Sequence, residues 1–239
     1  MIQRPLHRLG VLAFVGVFAG SLSGCFSLFP QNKPASLYSF GMAETAEAPI
    51  NTAARGISLE PVDFPREAMG DGILTVEGAQ TSYVAGARWA APATVMFRQA
   101  LDSAFDSAAP GAHLLNRGEA GPSAALLAID VTRFEADYTD PKAPPTVRVT
   151  LRVRLGGADG SAIDATSYDV KKPAAANRVE AIVAAYDAAT TEALTALARW
   201  VDEKAPPADP ARLVPRSTSR SSSTKSTATT TSTTTTRQP

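Results

Sequence analysis

The clearest pattern in the chain is the run Val147, Val149, Leu151, Val153 and Leu155, alternating strictly with Thr146, Arg148, Thr150, Arg152 and Arg154. A period of two puts every apolar residue on one face, so this is a half-buried strand. Upstream, Leu127, Ile129 and Val131 alternate in the same way, and then Phe134, Ala136 and Tyr138 continue in the opposite phase. Such a change of phase turns a strand over unless one residue is extruded, which predicts a bulge near Thr132 and Arg133. Asp140 to Pro145 reads as a loop, and Gly156 to Gly160 turns the strand back into another at Ile163 to Val170.

Earlier elements are shorter. Leu37 to Phe40 reads as a first strand, and Thr45 to Arg55 as a polar, Ala-rich loop. Ile57 to Phe64 reads as a second strand, confined to an edge or an early end by Pro61 and Pro65. Ile73 to Glu77 and Gln80 to Ala85 flank Gly78-Ala79 as a hairpin. Two segments change period. After Pro92, which suits a first helical turn, Phe97, Leu101, Ala104 and Phe105 recur at helical spacing, with Arg98, Asp102 and Asp106 on the wet side. Asn177 with Glu180 has the form of a capping box. From there Val179, Ile182, Val183, Tyr186, Ala189, Ala193, Leu194, Leu197 and Val201 make a long apolar stripe that stops at Pro206-Pro207. The predicted fold class is α+β: an antiparallel or mixed sheet with two amphipathic helices packed on one face.

The N-terminus follows neither period. Arg4, His7 and Arg8 precede Leu9 to Leu22, an uncharged apolar run that ends in Leu22-Ser23-Gly24-Cys25. This is the layout of a secretory signal peptide, closed by a bacterial lipobox in place of a small-x-small cleavage site. The thiol is the nucleophile that takes up the lipid, and Cys25 is the only cysteine of the chain, so no internal disulfide competes for it. Residues 1–24 are therefore expected to be the signal and 25–35 an acylated N-terminus and spacer. The α+β domain is expected over 36–205. Phe26 stands where enterobacterial sorting rules would read an aspartate as inner-membrane retention, so the expected location is the outer membrane, facing the periplasm. Ser217 to Thr236 is almost entirely Ser and Thr. That composition cannot bury enough apolar surface to offset its ordering entropy, and 206–239 reads as a disordered tail.

The 23 basic and 23 acidic residues cancel over the chain, but unevenly. Arg212, Arg216, Arg220, Lys225 and Arg237 face only Asp209 in the tail, which leaves an acidic domain and gives no sign of nucleic-acid binding. The tail reads as a solubilising leash ahead of a contact with anionic envelope polymers. Within the domain, the row Arg148, Arg152 and Arg154 stands out. It is a docking face for a carboxylate-bearing partner or lipid head groups, or, as the blander reading, a solvated face paired with neighbouring acids such as Asp130.

Catalytic signals are few. No HExxH, GxSxG or Walker-type loop occurs, and once the signal is removed the only histidine is His113, placed in a loop after the first helix. A hydrolase would have to assemble around it. The chain is not expected to be an enzyme or to hold a metal or cofactor.

The order of lipobox, short Leu37-Tyr38 strand, strand ending before Pro65, hairpin, and Arg88-Trp89-Ala90 with Pro92 opening a helix resembles the ABC-type transport auxiliary lipoprotein family. The resemblance covers about residues 37 to 201, with Ala91 where the family usually has an acid before the proline. It implies a non-catalytic component of an MCE-type intermembrane lipid transport system. In such a system the lipoprotein docks the MCE protein at the outer membrane, the MCE protein works with a separate ABC permease and ATPase, and the resemblance leaves room for self-association into a ring. Arg88 and Trp89 join Arg148, Arg152 and Arg154 as expected partner-binding residues, although Trp89 also suits a core anchor at the helix start. The alternative is a structural envelope lipoprotein that tethers outer-membrane or peptidoglycan-associated proteins.

Overall fold

Two long strands carry the architecture. The computed structural model describes residues 34–41, 54–115 and 123–207. The signal segment, Cys25, most of the 45–55 loop and residues 208–239 lie outside the described residues. Strand β6 (Ser123–Tyr138) pairs antiparallel with β7 (Thr146–Gly157) along almost its whole length, and β7 pairs antiparallel with β8 (Ala162–Pro173). The predicted bulge lies between Val131 and Arg133. It lets Val131 and Phe134 both face inward across the change of phase, and both are buried.

The other edge of β6 is shared. Its first half pairs parallel with β2 (Arg55–Leu59), which pairs parallel with β5 (Ala112–Leu114). Its last residues pair parallel with β3 (Gly72–Glu77), which makes a hairpin with β4 (Gln80–Trp89). Strand β1 (Ser36–Tyr38) then adds parallel to the end of β4. The sheet is thus mixed, with eight strands. Helix α1 (Ala93–Ala108) packs on α2 (Val179–Lys204), which lies along β7 and β8.

Several expected boundaries shift for identifiable reasons. Strand β2 ends at Leu59, ahead of Pro61, and the chain stays beside β6 only through isolated bonds such as Asp63 N to Ile129 O at 3.0 Å. Strand β4 runs on to Trp89, so Arg88 and Trp89 are strand residues. Asn177 does not cap α2. Its side chain accepts from the Tyr138 hydroxyl at 2.8 Å and donates to Pro141 O, and the N-cap is Arg178 in extended conformation, without a side-chain cap. His113 is a strand residue, paired with Gly56 in β5.

The core between sheet and helices centres on aromatic rings. Phe134 lies 5.2 Å from Phe40, 5.3 Å from Phe64 and 5.1 Å from Tyr186 between ring centroids. Trp89 stands edge-on to Phe40 at 5.0 Å and to Tyr186 at 5.2 Å. The inward residues of β7, from Val147 to Leu155, are essentially fully buried, each worth about 1.5–3 kcal/mol over exposure. A polar clamp closes the far end of α2. The Arg55 guanidinium donates to Gly111 O at 2.9 Å, Ala205 O at 2.8 Å, and both the carbonyl and carboxylate of Asp202 at 2.6 and 2.7 Å. A cation there complements the negative end of the helix dipole.

Tyr186 is the buried group whose ionisation folding opposes most. Its hydroxyl donates to Leu74 O at 2.7 Å. Burial, then the Glu135 carboxylate, pushes its pKa well above the ordinary tyrosine value. The unfolded chain therefore loses this proton first. The contribution of this group to stability is complete below about pH 10 and is lost as pH rises above that. Urea midpoints measured from pH 8 to 11 should fall more steeply for the wild type than for Tyr186→Phe. That variant should also be about 1–3 kcal/mol less stable at neutral pH, because Leu74 O loses its buried donor. Equal slopes would remove Tyr186 from the alkaline transition.

Candidate functional site

With both helices on one face, no helix among the described residues covers the opposite face of β6, β7 and β8. The alternation in β7 sends Arg148, Thr150, Arg152 and Arg154 to it, where they meet their neighbours in register. Arg148 lies between Glu135 and Lys171, Thr150 between Arg133 and Asp169, Arg152 between Asp130 and Ser167, and Arg154 between Ala128 and Ala165.

The row is not uniform. Arg148 reaches Asp169 at 3.4 Å, and Thr150 donates to the same carboxylate at 2.8 Å. The Thr150 hydrogen bond first, helped by Lys171 and Arg148, holds Asp169 below the usual aspartate range. Arg133 donates to Glu135 at 2.6 Å, which satisfies the one largely buried carboxylate of the face. This end of the row is internally neutralised, through Asp169 and not through Asp130. Arg152 and Arg154 are exposed and make no ion pair among the described residues. Beyond them the surface turns apolar, with Leu126 and Ile163 partly exposed.

The other expected pair divides. Arg88 is exposed and makes two bonds to the Asp71 carboxylate at 3.0 and 2.9 Å. Trp89, its neighbour on the opposite side of β4, is 2 % exposed and has no surface to offer a partner. The Arg-Trp pair is therefore one residue for the surface and one for the core. Arg88 helps line a hollow of about 490 Å³ with Arg66, Asp71 and Tyr83. A second hollow, of about 390 Å³, lies between the β3–β4 hairpin and the start of α2, with Val76, Val84 and Val179 beside Tyr138 and Asn177.

Among the described residues no group of three or more His, Cys, Asp and Glu is placed to hold a metal ion, and no helix is long and apolar enough to cross a membrane. The arrangement offers an exposed, charged sheet face and two hollows beside it. Sequence reasoning missed the Arg55 clamp, because its partners at Gly111 and Asp202 are distant in the chain and nothing local marks them.

The model of the ABC-type transport auxiliary lipoprotein component matches residues 38–198. The chain belongs to that family. The match spans every element from the last residue of β1 to most of α2. Among solved structures, a Xanthomonas campestris protein assigned to the DUF330 family is similar, with 23% identity, a TM-score of 0.58, and coverage of 71% of this chain and 96% of that one. A second, described only as an uncharacterized protein, has 17% identity and a TM-score of 0.56 over 71% of this chain and 99% of that one. Both likenesses concern the fold. No curated protein matches the sequence. The family assignment makes the chain an auxiliary transport lipoprotein of the cell envelope.

Proposed function

We propose that this protein is a non-catalytic accessory of an MCE-type ABC lipid transport system. It is anchored by lipid on Cys25 at the outer membrane and docks the MCE protein on its periplasmic side. The family match over residues 38–198 carries this reading, and the lipobox Leu22-Ser23-Gly24-Cys25 supports the anchor. Arg152 and Arg154 are the partner-binding residues of the open sheet face, since they are exposed and make no ion pair among the described residues; Arg88 is a further one. Transport energy comes from the separate ATPase.

Crosslinking and affinity capture from intact membranes, followed by mass spectrometry, tests the reading. Recovery of an MCE-domain protein with its permease and ATPase is expected, and it should fall by roughly tenfold for Arg152→Glu/Arg154→Glu, as for loss of a close charge pair at an interface. Recovery of only peptidoglycan or outer-membrane proteins would replace it with a tethering role.

A further inference from the structure

Six large apolar side chains are notably exposed among the described residues, and three of them, Leu37, Met69 and Tyr83, are linked through neighbouring elements at one corner. Leu37, on β1, is 66% exposed, and Tyr83, on β4, is 54% exposed. Leu37 lies opposite Arg88, and Arg88 opposite Gly72, so all three are on the helix-free side of the sheet. The Tyr83 ring lies over Gly72, where a Cβ would come within 2.5 Å of it, and its hydroxyl donates to Glu67 O at 2.9 Å. That bond draws in the short turn Arg66–Ala68 and with it Met69, which is 45% exposed. Monomeric proteins seldom leave such residues contiguous without a use.

The chain itself indicates what covers the corner. β1 is the edge strand through which the polypeptide enters the domain, and only ten residues separate Cys25 from Ser36. A fully extended spacer of that length reaches no more than about 40 Å, so an acylated Cys25 keeps this corner close to the bilayer. Arg66 and Arg88 are balanced by Glu67 and Asp71 in the same hollow, which suits a neutral interface better than an acidic protein. Tyrosine and arginine around aliphatic side chains are the residue types that settle at lipid head groups.

We infer that the corner formed by Leu37, Met69 and Tyr83 rests on the lipid surface that holds the anchor. It is a second, protein-borne membrane contact that fixes how the domain stands. The inference relies on the lipidation of Cys25 proposed above. Acyl chains alone would leave the domain free to tumble on its spacer, whereas a second weak contact adds to the anchor and sets an orientation.

The mature full-length protein, with acylation of Cys25 verified by mass, leaves no free thiol. Single variants Leu37→Cys, Met69→Cys, Leu126→Cys and Ile163→Cys can then carry a fluorophore in phosphatidylcholine vesicles containing doxyl-labelled lipid. Quenching by the doxyl lipid should be about threefold or more stronger at 37 and 69 than at 126 and 163. Replacing part of the lipid with phosphatidylglycerol should change this little. Equal, weak quenching at all four sites on an acylated protein would overturn the membrane contact and leave the anchor standing. Protection of 37 and 69 from aqueous iodide without doxyl quenching would give the corner to another protein and also overturn it. An unmodified Cys25 would overturn the anchor, and the inference with it.

Discussion

Trp89→Ala should lower unfolding stability by about 3–5 kcal/mol, the range for removing a buried aromatic side chain. The indole is 2 % exposed and stands edge-on to both Phe40 and Tyr186. Its removal therefore opens a cavity and also strips two ring contacts, each worth about 0.5–1.5 kcal/mol beyond area. The site is poorly able to collapse, because Tyr186 is pinned by its bond to Leu74 O and the backbone next to Phe40 is held by the bond from Gly41 N to Asp187. Against a typical total of about 5–15 kcal/mol, that loss leaves a marginal domain. Urea unfolding followed by circular dichroism measures it. Trp89→Phe, which keeps an aromatic edge in place, should lose clearly less. A loss below about 1 kcal/mol for Trp89→Ala would show that this residue is not a structural anchor.

The second large effect is expected at Gly41. Its φ is 67°, and an added Cβ would fall 2.3 Å from Ala100 Cβ on α1. A left-handed conformation costs a side-chain-bearing residue about 1–2 kcal/mol, and forced overpacking costs about 1–3 kcal/mol more. Gly41→Ala should then cost roughly 2–5 kcal/mol. The backbone cannot easily retreat, because Gly41 N donates to Asp187 Oδ1 of α2 at 2.7 Å. A double-mutant cycle with Ala100→Gly separates the two causes. The pair should recover the steric share and retain the backbone share, after allowance of about 1 kcal/mol for glycine inside a helix. No coupling between the two sites would mean that the contact is not made.

What could be read in advance follows physical locality. The strict alternation of β7, the change of phase in β6 and the apolar stripe of α2 are each written within one segment, and each appears where expected, including the bulge at Thr132. Parallel pairing is not local. Nothing in Arg55–Leu59 or Gly72–Glu77 announces that both lie on the same edge of β6, so the mixed sheet could only be left open. Strand β5 is three residues long, too short for a period to show, which is why His113 read as loop. The arginine row was legible as a row, but its division into a neutralised Arg148 and an Arg152 and Arg154 without ion pairs among the described residues depends on β8, whose Asp169 reaches the first and not the others. Asn177 had the right spacing for a cap, yet Tyr138 and Pro141 claim its side chain.

Helix α2 also works as a ruler. At its start, Glu180 accepts from the Tyr38 hydroxyl of β1 at 3.1 Å, and at its end the Arg55 clamp holds Asp202 and Ala205. Its 26 residues measure about 39 Å at 1.5 Å per residue. The chain thus arrives at one pole of the domain and departs from the other. Whatever the N-terminal segment is fastened to, Pro207 stands on the far side of the body, with the thickness of the domain between it and β1.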